Sequence, residues 1–177
     1  MSVVIWLTGI SGSGKSTIAE ALSNAYRQRN IANEVLDGDI YRAILSPNDG
    51  YSVQERDEFR RKVIFIAELL VRNGVVCIVP LLSSSQNIRD FARSKFKNFI
   101  EVFIKCPIEI CEIRDPKGLY KKVRTGELKD FVGVDLPYDE PLDPEITIRS
   151  DKLNISESVQ QIIDLSVAMF PQTFSLK

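Results

Sequence analysis

The sequence predicts an α/β fold, three layers deep, in which helices cover both faces of a parallel five-stranded sheet. Three observations predict it. Five short, apolar, mostly β-branched segments are spaced along the chain, helical stripes separate them, and a glycine-rich loop stands between the first segment and the first helix. Strands alternating with helices argue for βαβ units. A chain of 177 residues is enough for one domain with a full core.

Val3–Thr8 is an unbroken apolar run, as expected of a strand covered on both faces. The helix after it carries Ile18, Leu22 and Tyr26 at i, i+4 and i+8, with Ala21 and Ala25 beside them. Glu34–Leu36 is the second strand. Ser52 and Glu55 have capping-box spacing and open a helix with Phe59, Val63, Ile66, Ala67 and Leu70 on one stripe, closed at Gly74. Val75–Leu82, Ile100–Ile104 and Glu145–Ile148 are the remaining strands. Ser156 is the expected N-cap of a final helix to Phe170, whose stripe is Val159, Ile162, Ile163 and Val167. Between the last two strands, Pro116–Pro144 is rich in Gly and Pro with little periodicity. Its Lys117, Lys121, Lys122 and Arg124 suit a cover over something anionic, or a solvated helix face followed by a loop.

Composition removes whole classes of chemistry. The chain has no histidine, which excludes Ser-His-Asp and Cys-His nucleophile systems, histidine bases and imidazole-bound zinc. Acid–base work falls to carboxylates, lysine or tyrosine. With 23 Lys and Arg against 24 Asp and Glu, no whole-molecule field attracts nucleic acid or an anionic membrane. No apolar run approaches the ~20 residues of a membrane span. Cys77, Cys106 and Cys111 form no C-x-x-C pair and read as small core residues of a reduced, cytoplasmic protein.

Gly9-Ile-Ser-Gly-Ser-Gly-Lys15-Ser16 matches G-x-x-x-x-G-K-[ST], directly after a strand and at the start of a helix. Glycines let backbone N–H groups curl around phosphate oxygens, the helix N-terminus adds its positive dipole, and Lys15 reaches the outer phosphates. The Ser16 hydroxyl is placed to ligate Mg²⁺. A nucleoside triphosphate with magnesium is the expected ligand.

No N/T-K-x-D string for guanine is present, and the third strand runs into Pro80-Leu-Leu-Ser83 rather than ending in Asp as in a motor ATPase. Two carboxylates, Asp37 and Asp39, instead close the second strand. They can organise magnesium waters and accept a proton from an attacking hydroxyl, though an Asp-Gly turn is the plainer reading of the same string. Arg42 follows, then Arg56, Arg60 and Arg61. Guanidinium suits bidentate contact with phosphate or sulfate, and arginines at this spacing also make solvated faces.

Over essentially its whole length the chain resembles the adenylylsulfate kinase family. The most specific part is Arg114-Asp-Pro-Lys-Gly-Leu-Tyr-Lys-Lys122, followed by Gly126-Glu-Leu, Phe131, Gly133, Asp135 and Pro137-Tyr138; Leu36-Asp-Gly-Asp39 and Arg42 match as well. The resemblance implies a P-loop nucleoside-kinase-like sandwich, a single domain over 1–177 with a lid at approximately 115–141. It implies transfer of the ATP γ-phosphate to the ribose 3′-hydroxyl of adenylyl sulfate, with Mg²⁺, in a homodimer. ATP would be held by Gly9, Ser11, Gly12, Ser13, Gly14, Lys15, Ser16, Thr17 and Arg114. Asp39 would be the acid near magnesium, acting through water, and near the attacking hydroxyl. The small anionic nucleotide acceptor would be held by Asp37, Arg42, Tyr51, Arg56, Phe59, Ser83, Lys117 and Phe131, with Tyr51 and Phe131 sandwiching its base.

Two departures fall on the acceptor side. The family has Glu-Asn-Ile-Arg-Arg where this chain reads Glu58-Phe59-Arg60-Arg61-Lys62, and Ser-Pro-Tyr (or His)-Arg where it reads Ser83-Ser84-Ser85-Gln86. An asparagine, a proline, a ring and a cation are lost, and a pocket without those hydrogen bonds discriminates differently. A related kinase acting on cytidine diphosphoramidate is therefore the second reading.

Overall fold

Alternation within β1 (Val4–Thr8) sorts the core into two halves. A computed structural model of the protein describes residues 2–48, 50 and 52–174. Its elements are β1, α1 (Lys15–Gln28), β2 (Asn33–Val35), α2 (Gly38–Leu45), α3 (Val53–Arg72), β3 (Val76–Pro80), α4 (Gln86–Lys95), β4 (Phe99–Lys105), α5 (Ile108–Arg114), α6 (Leu119–Arg124), β5 (Ile146–Arg149), α7 (Ile155–Met169) and α8 (Pro171–Phe174). Ile5 and Leu7 face α1, α7 and α8, where they pack with Ile18, Leu22, Tyr26 and Ile162. Val4 and Trp6 face α3 and α4 and pack with Phe59, Val63, Ala67 and Ala92. Both faces of the strand are therefore dry, which is why its sequence shows no polar alternation.

All strand pairings are parallel, in the order β2-β3-β1-β4-β5. β1 lies at the centre, with Val4 opposite Cys77 on one side and Phe99 on the other. Its carboxyl end delivers Gly9 to the middle of that sheet edge, where ligands of open α/β sheets gather. The predicted three-layer architecture and five strands are as observed.

Several expectations are corrected. Asn154, not Ser156, caps α7: its side chain accepts from the Glu157 amide at 2.9 Å, and Glu157 returns to the Asn154 amide at 2.9 Å. The 116–144 stretch has a short helix, α6, after Gly118, with Lys121, Lys122 and Arg124 exposed on it, which matches the reading of a solvated helix face followed by a loop. Sequence reasoning passed over α2, α4, α5 and α8, which are short. The Ser52–Glu55 capping box is present as expected.

The cover is pinned at its far end. The Tyr138 hydroxyl lies 2.7 Å from Thr8 Oγ1, and the Asp139 amide donates to the Ser84 carbonyl at 2.9 Å. Below that anchor sits a buried ionic cluster. Arg89, 1% exposed, donates to the Ser83 carbonyl at 2.6 Å and meets Glu101 at 3.2 Å. Arg93 bridges Glu101 and Glu145.

Candidate active site

The phosphate loop is shaped by close approach. A Cβ on Gly9 would stand 2.5 Å from the Ile104 carbonyl oxygen. One on Gly12, whose φ is +74°, would stand 2.9 Å from the Cys111 carbonyl oxygen. Only glycine lets the loop lie this tightly on β4 and α5. Lys15 folds across it, donating to the carbonyls of Gly9 at 2.9 Å and Ile10 at 2.8 Å. Burial pushes its pKa down from 10.5 to about 8, against the opposing charge of Asp39.

The two aspartates separate because α2 begins between them. Asp37 is the N-cap: Oδ1 accepts from the Asp39 amide at 2.9 Å, while Oδ2 accepts from the Ser16 hydroxyl at 2.6 Å. Asp39, one step inside the helix, projects the other way and is 69% exposed. Its carboxylate is ion-paired with Lys117 of the cover.

One cavity of about 950 Å³ runs past all of this. Its first half is lined by Ser11, Gly12, Gly14, Lys15, Ser16 and Thr17, with Arg114, Ser150, Leu153 and Asn154 opposite. Arg114 reaches the Ser150 carbonyl at 2.7 Å. The second half is lined by Asp39, Arg42, Arg56, Phe59, Arg60, Leu81, Leu82, Lys117 and Phe131. Such a volume lies at the upper end of the ~300–1,000 Å³ found for a single small-ligand site. Arg42 lies over the Phe59 ring at 5.4 Å and donates to the Gly50 carbonyl. Arg56 donates to the Asp130 carbonyl in the cover at 3.1 Å. Phe131 meets Tyr120 edge-on at 5.0 Å, and the Tyr120 hydroxyl donates to the Ser11 carbonyl at 2.8 Å. The cover thus rests on the phosphate loop at one end and on α3 at the other.

The structure brings together most of the expected residues, with four exceptions among the described residues. Asp37 does not line the cavity; it is buried against Ser16, on the phosphate-loop side rather than the acceptor side, and it, not Asp39, stands beside the serine hydroxyl. Ser83 is wholly buried, its Oγ accepting from Trp6 Nε1 at 3.1 Å, because a core indole N–H requires a partner. It lies beneath the floor and not in the cavity. Gly9 and Ser13 shape the loop from below without lining it. Tyr51 lies outside the described residues. Sequence reasoning missed Ser150, Leu153 and Asn154, in the turn after β5. The rule that ligands gather at strand carboxyl ends is the signal that could have found them.

Ser16 and Asp37 supply a donor set beside the loop that suits a hard divalent cation: a hydroxyl and a carboxylate oxygen within 2.6 Å of each other. Among the described residues no group of three or more His, Cys, Asp or Glu is arranged to hold a metal ion alone. The arrangement fits Mg²⁺ arriving with phosphate oxygens, which complete its shell.

Comparison with known proteins agrees with this geometry. The adenylylsulphate kinase family model matches residues 1–149. The adenylyl-sulfate kinase of Rippkaea orientalis is 50% identical over 160 residues, covering 90% of this chain and 88% of its own. That of Gloeothece citriformis is 47% identical over 161 residues, covering 91% and 92%. Among solved structures, the Mycobacterium tuberculosis APS kinase CysC in complex with AMPPNP and APS superposes with a TM-score of 0.89 at 38% identity, covering 93% of this chain and 96% of that one.

Proposed function

This chain belongs to the adenylylsulphate kinase family, and from that premise and the cavity's geometry we infer an ATP-dependent kinase that phosphorylates the ribose 3′-hydroxyl of adenylyl sulfate. One observation carries the reading: the phosphate loop and the Asp39 carboxylate open into a single cavity whose far half is lined by arginines. The neighbour described with AMPPNP and APS supports the same pairing of ligands.

In this reading the triphosphate lies along the phosphate loop, with its base between Arg114 and the Leu153–Asn154 turn. Ser16 and Asp37 would hold Mg²⁺, which would supply positive charge to offset that of the phosphoryl group in transfer. Lys15, poised over the loop carbonyls, turns to the outer phosphates. Arg42 and Arg56 hold the acceptor's anionic linkage, and Phe131 faces its base. Asp39 accepts the hydroxyl proton as the oxygen attacks in line. Lys117 places a cation at the point of transfer, and the cover excludes water that would otherwise take the phosphoryl group.

Following ADP release from Mg²⁺-ATP with and without adenylyl sulfate tests the reading. Acceptor-dependent turnover that disappears in Lys15→Ala is expected. Turnover with cytidine diphosphoramidate in place of adenylyl sulfate, or with neither, overturns it.

A homodimer is the proposed assembly, supported by the exposed Ile40 and Ile44 of α2 and Phe65 of α3. Light scattering at the monomer mass would refute it. A cytoplasmic location is supported by three free cysteines, all buried. No helix among the described residues is long and apolar enough to cross a membrane.

A further inference from the structure

Arg60 is buried where a cation has least reason to be. Among the described residues the buried charged side chains are Asp37, Arg60, Arg89 and Glu101. Arg89 and Glu101 face each other away from the cavity, and Asp37 is spent on Ser16 and the α2 cap. Arg60, 6% exposed, lines the acceptor half. Its neighbour Arg61 turns outward onto the Phe91 ring at 4.3 Å, so the two arginines that look equivalent in sequence have separate fates.

The partners of Arg60 do not account for its burial. Nη1 meets Asp57 at 2.6 Å, but that carboxylate is 44% exposed, and solvent screening weakens such a pair. Nη2 donates to the Leu82 carbonyl at 3.0 Å, fixing the segment whose Leu81 and Leu82 form the cavity wall. A guanidinium has five N–H donors, and these bonds engage one from each terminal nitrogen. Burial and the nearby charges of Arg56 and Arg42 oppose the charged form of Arg60, while Asp57 supports it. Three guanidiniums therefore crowd one concave surface and repel one another, with Phe59 packed under Arg42. Crowding of this kind is relieved by an anion with several oxygens, which the planar forks can grip in pairs.

We propose that Arg60 is a specificity-determining residue that binds the acceptor's phosphate–sulfate linkage from the floor of the cavity while holding the Leu81–Leu82 wall in place. The inference rests on the adenylyl sulfate reading and adds a third guanidinium to the two already placed there. Phe59 and Arg60 are also where the chain leaves the family string. The acceptor is selected here by charge on its linkage rather than by amide hydrogen bonds.

The test compares wild type, Arg60→Met and Arg60→Lys in steady-state kinetics with adenylyl sulfate and Mg²⁺-ATP, alongside thermal melts. Loss of a charge-assisted contact corresponds to about 10- to 100-fold. Arg60→Met should raise the acceptor KM by about that factor with the ATP KM within about twofold. Arg60→Lys should recover part of the loss. The acceptor KM of wild type should rise with salt more steeply than that of Arg60→Met. If Arg60→Met does not fold, the acceptor-selective rise in Arg60→Lys carries the test. An unchanged acceptor KM, or acceptor and ATP KM values rising together, overturns the assignment of Arg60 alone. A wild-type enzyme inert on adenylyl sulfate overturns the reading and this inference with it.

Discussion

Asp39, one residue inside α2, is ion-paired with Lys117, which lies 78 residues later in the cover. The pair ties α2 to the cover, so the carboxylate proposed as the base is held beside a cation of the cover. Both side chains are half exposed or more, and the contact contributes little to stability. Its consequence is in the chemistry. Asp39→Asn should lower kcat by about 10²- to 10⁴-fold, the range for loss of a positioned base. ATP affinity at pH 7 should hardly change. A kcat within threefold of wild type would remove Asp39 from the base role.

Asp37 is expected to behave differently, because its two oxygens have two duties. Oδ1 caps α2 and Oδ2 receives the Ser16 hydroxyl. Asparagine caps a helix about as well as aspartate, whereas alanine costs about 0.5–2 kcal/mol. Asp37→Asn should therefore keep the wild-type melting temperature yet need more Mg²⁺ for half-maximal rate. Asp37→Ala should lose both. Equal Mg²⁺ requirements in wild type and Asp37→Asn would detach this carboxylate from the metal.

How much of this was legible follows the range of each signal. The phosphate loop, the capping box at Ser52–Glu55 and the apolar strands are local patterns, and each stands where the sequence puts it. The division of labour between Asp37 and Asp39 was not legible, because it depends on α2 starting at Gly38, a helix of 8 residues that buries no side chain fully. Ser83 reads as a loop serine beside the acceptor; only the position of the Trp6 indole shows it to be a core acceptor. Arg60 and Arg61 are adjacent and identical in sequence. The 100° turn between them on α3 sends one to the cavity and the other to Phe91.

Gly12 gives a stability prediction independent of catalysis. Its φ of +74° disfavours any side chain, and a new Cβ would meet the Cys111 carbonyl oxygen at 2.9 Å and the Cys111 Cβ at 3.2 Å. Backbone strain of this kind costs about 1–3 kcal/mol. Gly12→Ala should unfold at lower urea by that margin and bind ATP more weakly. Unchanged stability would mean that the loop has room the geometry denies.

The Arg89–Glu101 pair should matter more than the surface pairs. Arg89 also holds the Ser83 carbonyl, so its loss leaves a buried carboxylate and a loop carbonyl each short of a partner. Removing one member of a buried pair costs about 3–5 kcal/mol. Arg93 still reaches Glu101, which places Arg89→Met toward the lower figure. Urea titration measures it, and a change comparable to that of Arg124→Ala, whose pairing with Glu112 is on the surface, would contradict the argument.

Lys15 supplies the pH dependence. Its pKa is pushed down from 10.5 to about 8, first by burial and then by Lys117, with Asp39 pulling the other way. In the unfolded chain the ammonium keeps its proton to about pH 10.5. Between about 8 and 10.5 the unfolded state therefore binds more protons, and this group makes ligand-free stability rise with pH. Below about 8 its full penalty is present. Binding runs with the opposite sign. Triphosphate favours the charged amine, so binding near pH 8 takes up a proton. Affinity for metal-free ATP in EDTA should hold below about pH 8 and then fall, at most about tenfold per pH unit. Calorimetry in two buffers of different ionisation heat reads the proton uptake directly. Lys15→Arg should flatten the profile, because a guanidinium stays charged throughout. An affinity for wild type that is level from pH 7 to 9.5 would show that Lys15 keeps its ordinary pKa, and that burial in the loop does not prime it for phosphate.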